Sequence, residues 1–121
     1  MVLKKNNPHQ GEIWLFNPDP VIGTEIGKKM RPGLIISCNA MNHGPSGLLI
    51  IVPLTSKEKG IPTHIRIEPH DANIPCTSFI VCEQIRCISK ERLIKRMGYL
   101  KNHSLLREVT AWISDLLWID L

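Results

Sequence analysis

Apolar and polar positions alternate with period two along "GEIWLFN", residues 11–17, placing Ile13 and Leu15 on one face and Trp14 and Phe16 on the other, which predicts a first strand. The "NPDP" that follows ends it, because proline has no backbone donor for a ladder. Residues 21–30 show no period and are predicted to be a loop. Two apolar runs come next, "GLIIS" and the longer "GLLIIVPL", separated by the turn-rich "NAMNHGPSG". Both are apolar on both faces, so they predict central strands of a curled sheet. "THIRIEP" alternates more cleanly: Thr63, Ile65 and Ile67 share one face, and His64, Arg66 and Glu68 share another that should meet water. "SFIVCEQIRCI" reads as a further long strand interrupted by Glu83, Gln84 and Arg86, and "LIKRMGYL" as a short last strand after the turn "SKER".

Only the tail carries a helical period. Leu105, Leu106, Val109, Trp112, Ile113, Leu116 and Leu117 form one stripe, with Arg107, Glu108, Ser114 and Asp115 elsewhere on the wheel and Asn102 or Ser104 available as the cap. No helices alternate with the strands, which argues against a parallel α/β sheet. The predicted fold is mainly β: a small, mostly antiparallel barrel-like sheet with one C-terminal helix on its face or end.

The 121 residues suffice for a single domain over residues 1–121 with one apolar core, and residues 1–9 are expected to be flexible. A formal charge of +4 permits nucleic-acid binding, but a solvated basic surface fits it as well. The N-terminus lacks an apolar signal core and no run is long enough to span a bilayer, so a cytoplasmic protein without membrane contact is expected. Cys38, Cys76, Cys82 and Cys87 lack zinc or disulfide-framework spacing and are expected to be buried or half-buried thiols.

Polar residues collect at three strand ends: residues 25–31, Thr55 with Ser56 and Lys57, and Glu83, Gln84 and Arg86. A small barrel can bring such ends to one rim. Arg31 offers a planar fork suited to phosphate, with Pro32 biasing its backbone to extended geometry. Thr55 offers a hydroxyl, and Glu25 a carboxylate that could serve as a base. Structural roles stand beside these: Thr55 as the cap of a turn, Arg31 paired with Glu25 or Glu83, Gln84 bonded to backbone. His9, His43, His64, His70 and His103 are scattered in loops or on the exposed strand face and read mostly as solvent histidines, and nothing offers metal geometry. Trp112 and Trp118 suit core packing or a subunit contact, while Trp14 could pack or stack on a base.

Taken in order, "GEIW", "DP", "GTE", "RP" before an apolar strand, "VPLTS" and "CEQIR" resemble the MazF/PemK family of toxins from bacterial toxin–antitoxin systems, from about residue 11 to the C-terminal helix. The chain differs from many members in having Ile26 after Glu25. The resemblance implies an SH3-like β-barrel acting as a homodimer. It also implies an endoribonuclease that cuts single-stranded RNA at short sequences without metal or other cofactor, by attack of the ribose 2′-OH, leaving a 2′,3′-cyclic phosphate and a 5′-OH. Arg31 and Thr55 match the family's catalytic arginine and threonine, and Glu25 a glutamate of the loop between the first two strands. Lys28, Lys29, Ser56, Lys57 and Gln84 are the expected RNA contacts, and a cognate antitoxin whose C-terminal segment fills the dimer groove is the implied partner. Two other readings share the scaffold: a gyrase-poisoning toxin of the CcdB type acting through the tail "SDLLWIDL", and a non-catalytic RNA- or protein-binding barrel.

Overall fold

The computed structural model describes residues 7–18 and 30–120. Its strands are β1 (Glu12–Phe16), β2 (Arg31–Ile35), β3 (Leu48–Thr55), β4 (His64–Ile67), β5 (Ser78–Val81), β6 (Arg86–Ser89) and β7 (Leu93–Tyr99). The helices are α1 (Asn39–Asn42), α2 (Pro69–Ala72) and α3 (His103–Leu116). Every pairing is antiparallel, in the order β4-β5-β3-β2-β1-β7, with β6 also on β3. The predicted class holds: a mainly antiparallel sheet with a C-terminal helix.

One predicted strand is two. β3 pairs with β6 up to Ile51↔Arg86 and with β5 from Leu54↔Ile80, and between them the partner chain lifts off as a 3-10 turn, Cys82–Gln84. Pro53 sits in that gap, where the missing N–H of proline costs no ladder bond to a continuous partner.

The sheet is open along its hydrogen bonds, and the edges at β4 and β7 are brought together by packing. The short α2, directly after β4, lies so close to Gly98 of β7 that a Cβ there would be 1.9 Å from the Ala72 carbonyl oxygen. Lys101 N–H donates to Asp71 O across the same seam (3.0 Å). A reciprocal box holds α2, in which the Glu68 side chain accepts from N3 backbone and Asp71 accepts from Glu68 N–H (2.8 Å).

Both faces of the central strands are buried, as their apolar runs predict. Ile13, Leu34, Val52 and Ile80 pack on one face beneath Val109 and Ile113 of α3, and Trp14, Phe16, Ile35, Ile51 and Ile88 form a second cluster. Helix α3 starts at Asn102, whose side chain accepts from Ser104 N–H (2.9 Å), and its far end leaves Leu117 exposed. Residues 1–6 of the segment expected to be flexible lie outside the described residues. Pro8 is fully buried and its carbonyl accepts from His43 Nε2 (2.7 Å).

Trp14 takes the packing alternative, donating its indole N–H to Glu12 Oε1 (3.0 Å). Other side chains depart from expectation. Cys38, Cys76 and Cys87 are exposed, and only Cys82 is buried. Burial pushes the Cys82 thiol up to about 11, with Glu83 and Glu108 adding to the effect. His64 is no solvent histidine: its side chain is 5% exposed and Nε2 donates to Glu83 Oε2 (2.7 Å). The 3-10 turn is what brings that carboxylate over β4.

Candidate active site

The site begins where a ladder ends. β2 and β3 pair through Ile35↔Ile51, Leu34↔Val52 and Gly33↔Pro53, and no further. Counting two residues onward in that register sets Arg31 across from Thr55, beyond the last paired residues. Past this point β3 pairs with β5 on its other side, through Leu54↔Ile80 and Thr55↔Phe79, while Arg31 stays opposite Phe16 of β1. A cavity of about 470 Å³ opens there, and Arg31, Thr55, Ser56, Lys57 and Lys59 all line it. The two residues on which the sequence reading turns therefore share one groove.

The chemistry of that groove is one-sided. Arg31, Lys57 and Lys59 bring three cations, and no Asp or Glu is among the described lining residues. Nor is any of the three in an ion pair among the described residues. Unpaired cations clustered beside a half-buried wall create a potential that an anion relieves. Thr55 caps the turn after β3, as its structural alternative holds, by accepting Lys57 N–H at Oγ1 (3.2 Å). That bond occupies an oxygen lone pair, so the hydroxyl hydrogen can still be given to a ligand oxygen. Capping and ligand binding are compatible here.

Residues 74–76 and Met97 complete the wall, and the sequence reading singled out none of them for the site. Met97 arrives by a bulge: the register of β1 on β7 steps from Ile13↔Gly98 to Trp14↔Arg96 and leaves Met97 unpaired. A bulge is a relation between two strands, so no single segment could have announced it.

Of the three polar clusters, the first two meet in part and the third does not join them. Gln84 is exposed on the 3-10 turn and does not line the groove. Beside it, Glu83 accepts from Thr63 Oγ1 (2.7 Å) as well as from His64, so it is not a partner of Arg31. Burial tends to raise the Glu83 carboxyl, but the hydrogen bonds from Thr63 and His64 outweigh it and hold the group below its ordinary value. Glu25, Lys28 and Lys29 lie outside the described residues. Among the described residues, no group of His, Cys, Asp and Glu is placed to hold a metal ion, and no helix is long and apolar enough to cross a membrane.

A family model for the PemK-like, MazF-like toxin of type II toxin-antitoxin system matches residues 9–117. The chain belongs to this family. MazF from Deinococcus radiodurans is 25% identical with a TM-score of 0.79, the match covering 93% of this chain and 98% of that one. A mycobacterial endoribonuclease in complex with its cognate antitoxin is 24% identical, TM-score 0.70, covering 93% of this chain and 99% of that one. The Mycobacterium tuberculosis toxin MazF-mt6 is 19% identical, TM-score 0.72, with 91% and 99% covered. At identities below a quarter, the last two bear on the fold alone. In this MazF-type toxin, then, the R-P and P-L-T segments lie side by side at one groove, and the E-Q-I-R segment lies outside it.

Proposed function

We propose that the toxin is a metal-independent endoribonuclease that cleaves single-stranded RNA at the groove between Arg31 and Thr55. The observation that carries this reading is the groove itself: three cations, a hydroxyl with a hydrogen to give, and no carboxylate among the described lining residues. A phosphodiester is the ligand whose charge and oxygens match. Arg31 grips a non-bridging oxygen and opposes the charge that grows as phosphorus becomes five-coordinate, and Thr55 donates to the other. In a partly dry groove a cation about 4 Å from that charge is worth about 4 kcal/mol. The 2′-oxygen attacks, the bond from phosphorus to the 5′-oxygen breaks, and the products are a 2′,3′-cyclic phosphate and a 5′-OH. The proton of the 2′-OH passes to a base, and the leaving 5′-oxygen takes up a proton. Glu25 is that base in this proposal rather than Arg31, because a guanidinium offers donors and no acceptor. Ser56, Lys57 and Lys59 hold neighbouring phosphates, joined by Lys28 and Lys29, and Gln84 contacts RNA beyond the groove. Single strands are the substrate because duplex grooves hide base edges from such a site.

The same charge suits the proposed inhibitor, an acidic and apolar C-terminal segment of a cognate antitoxin lying across the groove of a cytoplasmic homodimer. Membership of a family of type II toxin-antitoxin toxins supports the pairing. The test is cleavage of a long mixed-sequence transcript in EDTA by wild type, Arg31→Ala, Thr55→Ala and Glu25→Ala, with the 5′ ends of products sequenced. Arg31→Ala and Thr55→Ala should each lose about 10²- to 10³-fold. Full activity in both rejects the assignment, and full activity in Glu25→Ala returns the base to another group.

A further inference from the structure

Next to the groove is a second, shallower depression of about 340 Å³, lined by Asn73, Arg96, Met97, Gly98 and Tyr99. Met97 borders both spaces, and the chain runs from Asn73 in one to Ile74 in the other. The two are thus consecutive stations along one surface. Their chemistry differs. Arg96 Nε is bound to Glu12 Oε2 (2.8 Å), so its charge is compensated, whereas Arg31 has no ion pair among the described residues. Glu12 is itself held by Trp14 Nε1 (3.0 Å) and His9 N–H (2.7 Å), which fixes the guanidinium in place. Its Cζ lies 5.6 Å from the centroid of the Tyr99 ring, and that ring belongs to a residue 43% exposed. A flat, pre-ordered aromatic and guanidinium surface with a neutralised charge is suited to a base rather than a phosphate.

We propose that this depression is a stacking subsite for one base of the RNA strand that flanks the scissile phosphate, with Tyr99 as its platform and Arg96 holding the ring's attitude. The proposal rests on the nuclease reading for the path of the strand. It deepens that reading by assigning an extended substrate of which one base passes over Met97. Asn73, at the rim, offers an amide to that base's edge.

The experiment measures fluorescence anisotropy with mixed-sequence single-stranded RNA pools of 5 and 12 nucleotides, 2′-O-methylated so that no 2′-OH can attack. Wild type should bind the longer pool more tightly. Tyr99→Ala should lose about 5- to 150-fold of that advantage, the range set by the stacking of one base, and Tyr99→Phe should keep it because stacking needs the ring alone. A ratio between pools unchanged within twofold in Tyr99→Ala overturns the proposal, as does an equal loss in Tyr99→Phe. Cleavage of an unmodified transcript by the same wild-type preparation is scored in parallel. Cleavage with no effect at Tyr99 removes the subsite and spares the nuclease reading, and binding at Tyr99 without cleavage does the reverse.

Discussion

Gly98→Ala should destabilise the toxin severely, for a reason visible in one distance. A Cβ built at position 98 falls 1.9 Å from the Ala72 carbonyl oxygen, 3.0 Å from the Ala72 carbonyl carbon and 3.2 Å from Asn73 Cβ. The obstacle is backbone, so no rotamer change relieves it. That backbone is also tethered, by the Glu68 and Asp71 box and by Lys101 N–H on Asp71 O. Overpacking typically costs 1–3 kcal/mol, and a rigid obstacle puts this substitution at the upper end, about 3 kcal/mol. With a urea m-value of about 1.5 kcal/mol/M, the midpoint should fall by about 2 M, and Tm by about 12 °C. Gly60→Ala is the control: Gly60 has φ +66° and nothing within 4 Å, so an added methyl meets only backbone strain, about 1 kcal/mol. If Gly98→Ala unfolds within about 0.5 M of wild type in urea, α2 does not clamp the sheet edges.

Glu12→Gln should cost about 1–2 kcal/mol, because Oε1 can still accept from Trp14 and His9 while the Oε2 that accepts from Arg96 becomes an amide nitrogen; urea unfolding followed by tryptophan emission measures it, and a loss below about 0.5 kcal/mol refutes it. The Glu83 carboxyl is held below its ordinary value, so its stabilising effect is complete above the unfolded pKa of about 4.5 and disappears as pH falls through the lower folded value. The Tm difference between wild type and Glu83→Gln should therefore shrink as pH falls below about 4.5, and a difference that stays flat from there down to about pH 3 contradicts the bonds to Thr63 and His64.

Much of this structure was legible because its signals are local. Period two in "GEIWLFN" and "THIRIEP" and the stripe of "LLREVTAWI" each lie in one segment, and each became the predicted element. The double-sided apolar runs correctly announced a sheet buried on both faces. What escaped was relational. The four-residue helices α1 and α2 are too short for a period and are held by local side-chain bonds: α2 by the Glu68 and Asp71 box, and α1, which has no side-chain cap, by Asn42, whose amide donates to Ser37 O (2.9 Å). His64 sits on the polar side of an alternating strand, and only the break in the neighbouring strand places Glu83 over it. At the site, Arg31 and Thr55 could be named one by one, but Met97 and residues 74–76 came from a bulge and a seam that need both strands in hand.

The groove exists because the backbone there has run out of partners. Pro32 and Pro53 lack amide hydrogens, and the last bonded pair of β2 and β3 includes Pro53. Beyond it β3 turns to β5 on one side and β2 stays with β1 on the other, so the strands diverge with Arg31 and Thr55 at the opening. A closed ladder would have placed side chains of one strand against the next and filled this space. An open sheet clamped at its edges by α2 on Gly98 leaves the wedge empty, and the same seam supplies its far wall through residues 74–76 and Met97. Stability and site thus depend on one contact, and a substitution that loosens the seam should widen the groove before it unfolds the chain. Gly98→Ala at a urea concentration well below its own midpoint is where the two separate: RNA cleavage should fall while the far-ultraviolet signal of the strands remains, and loss of both together would mean that the wall and the fold are one cooperative unit.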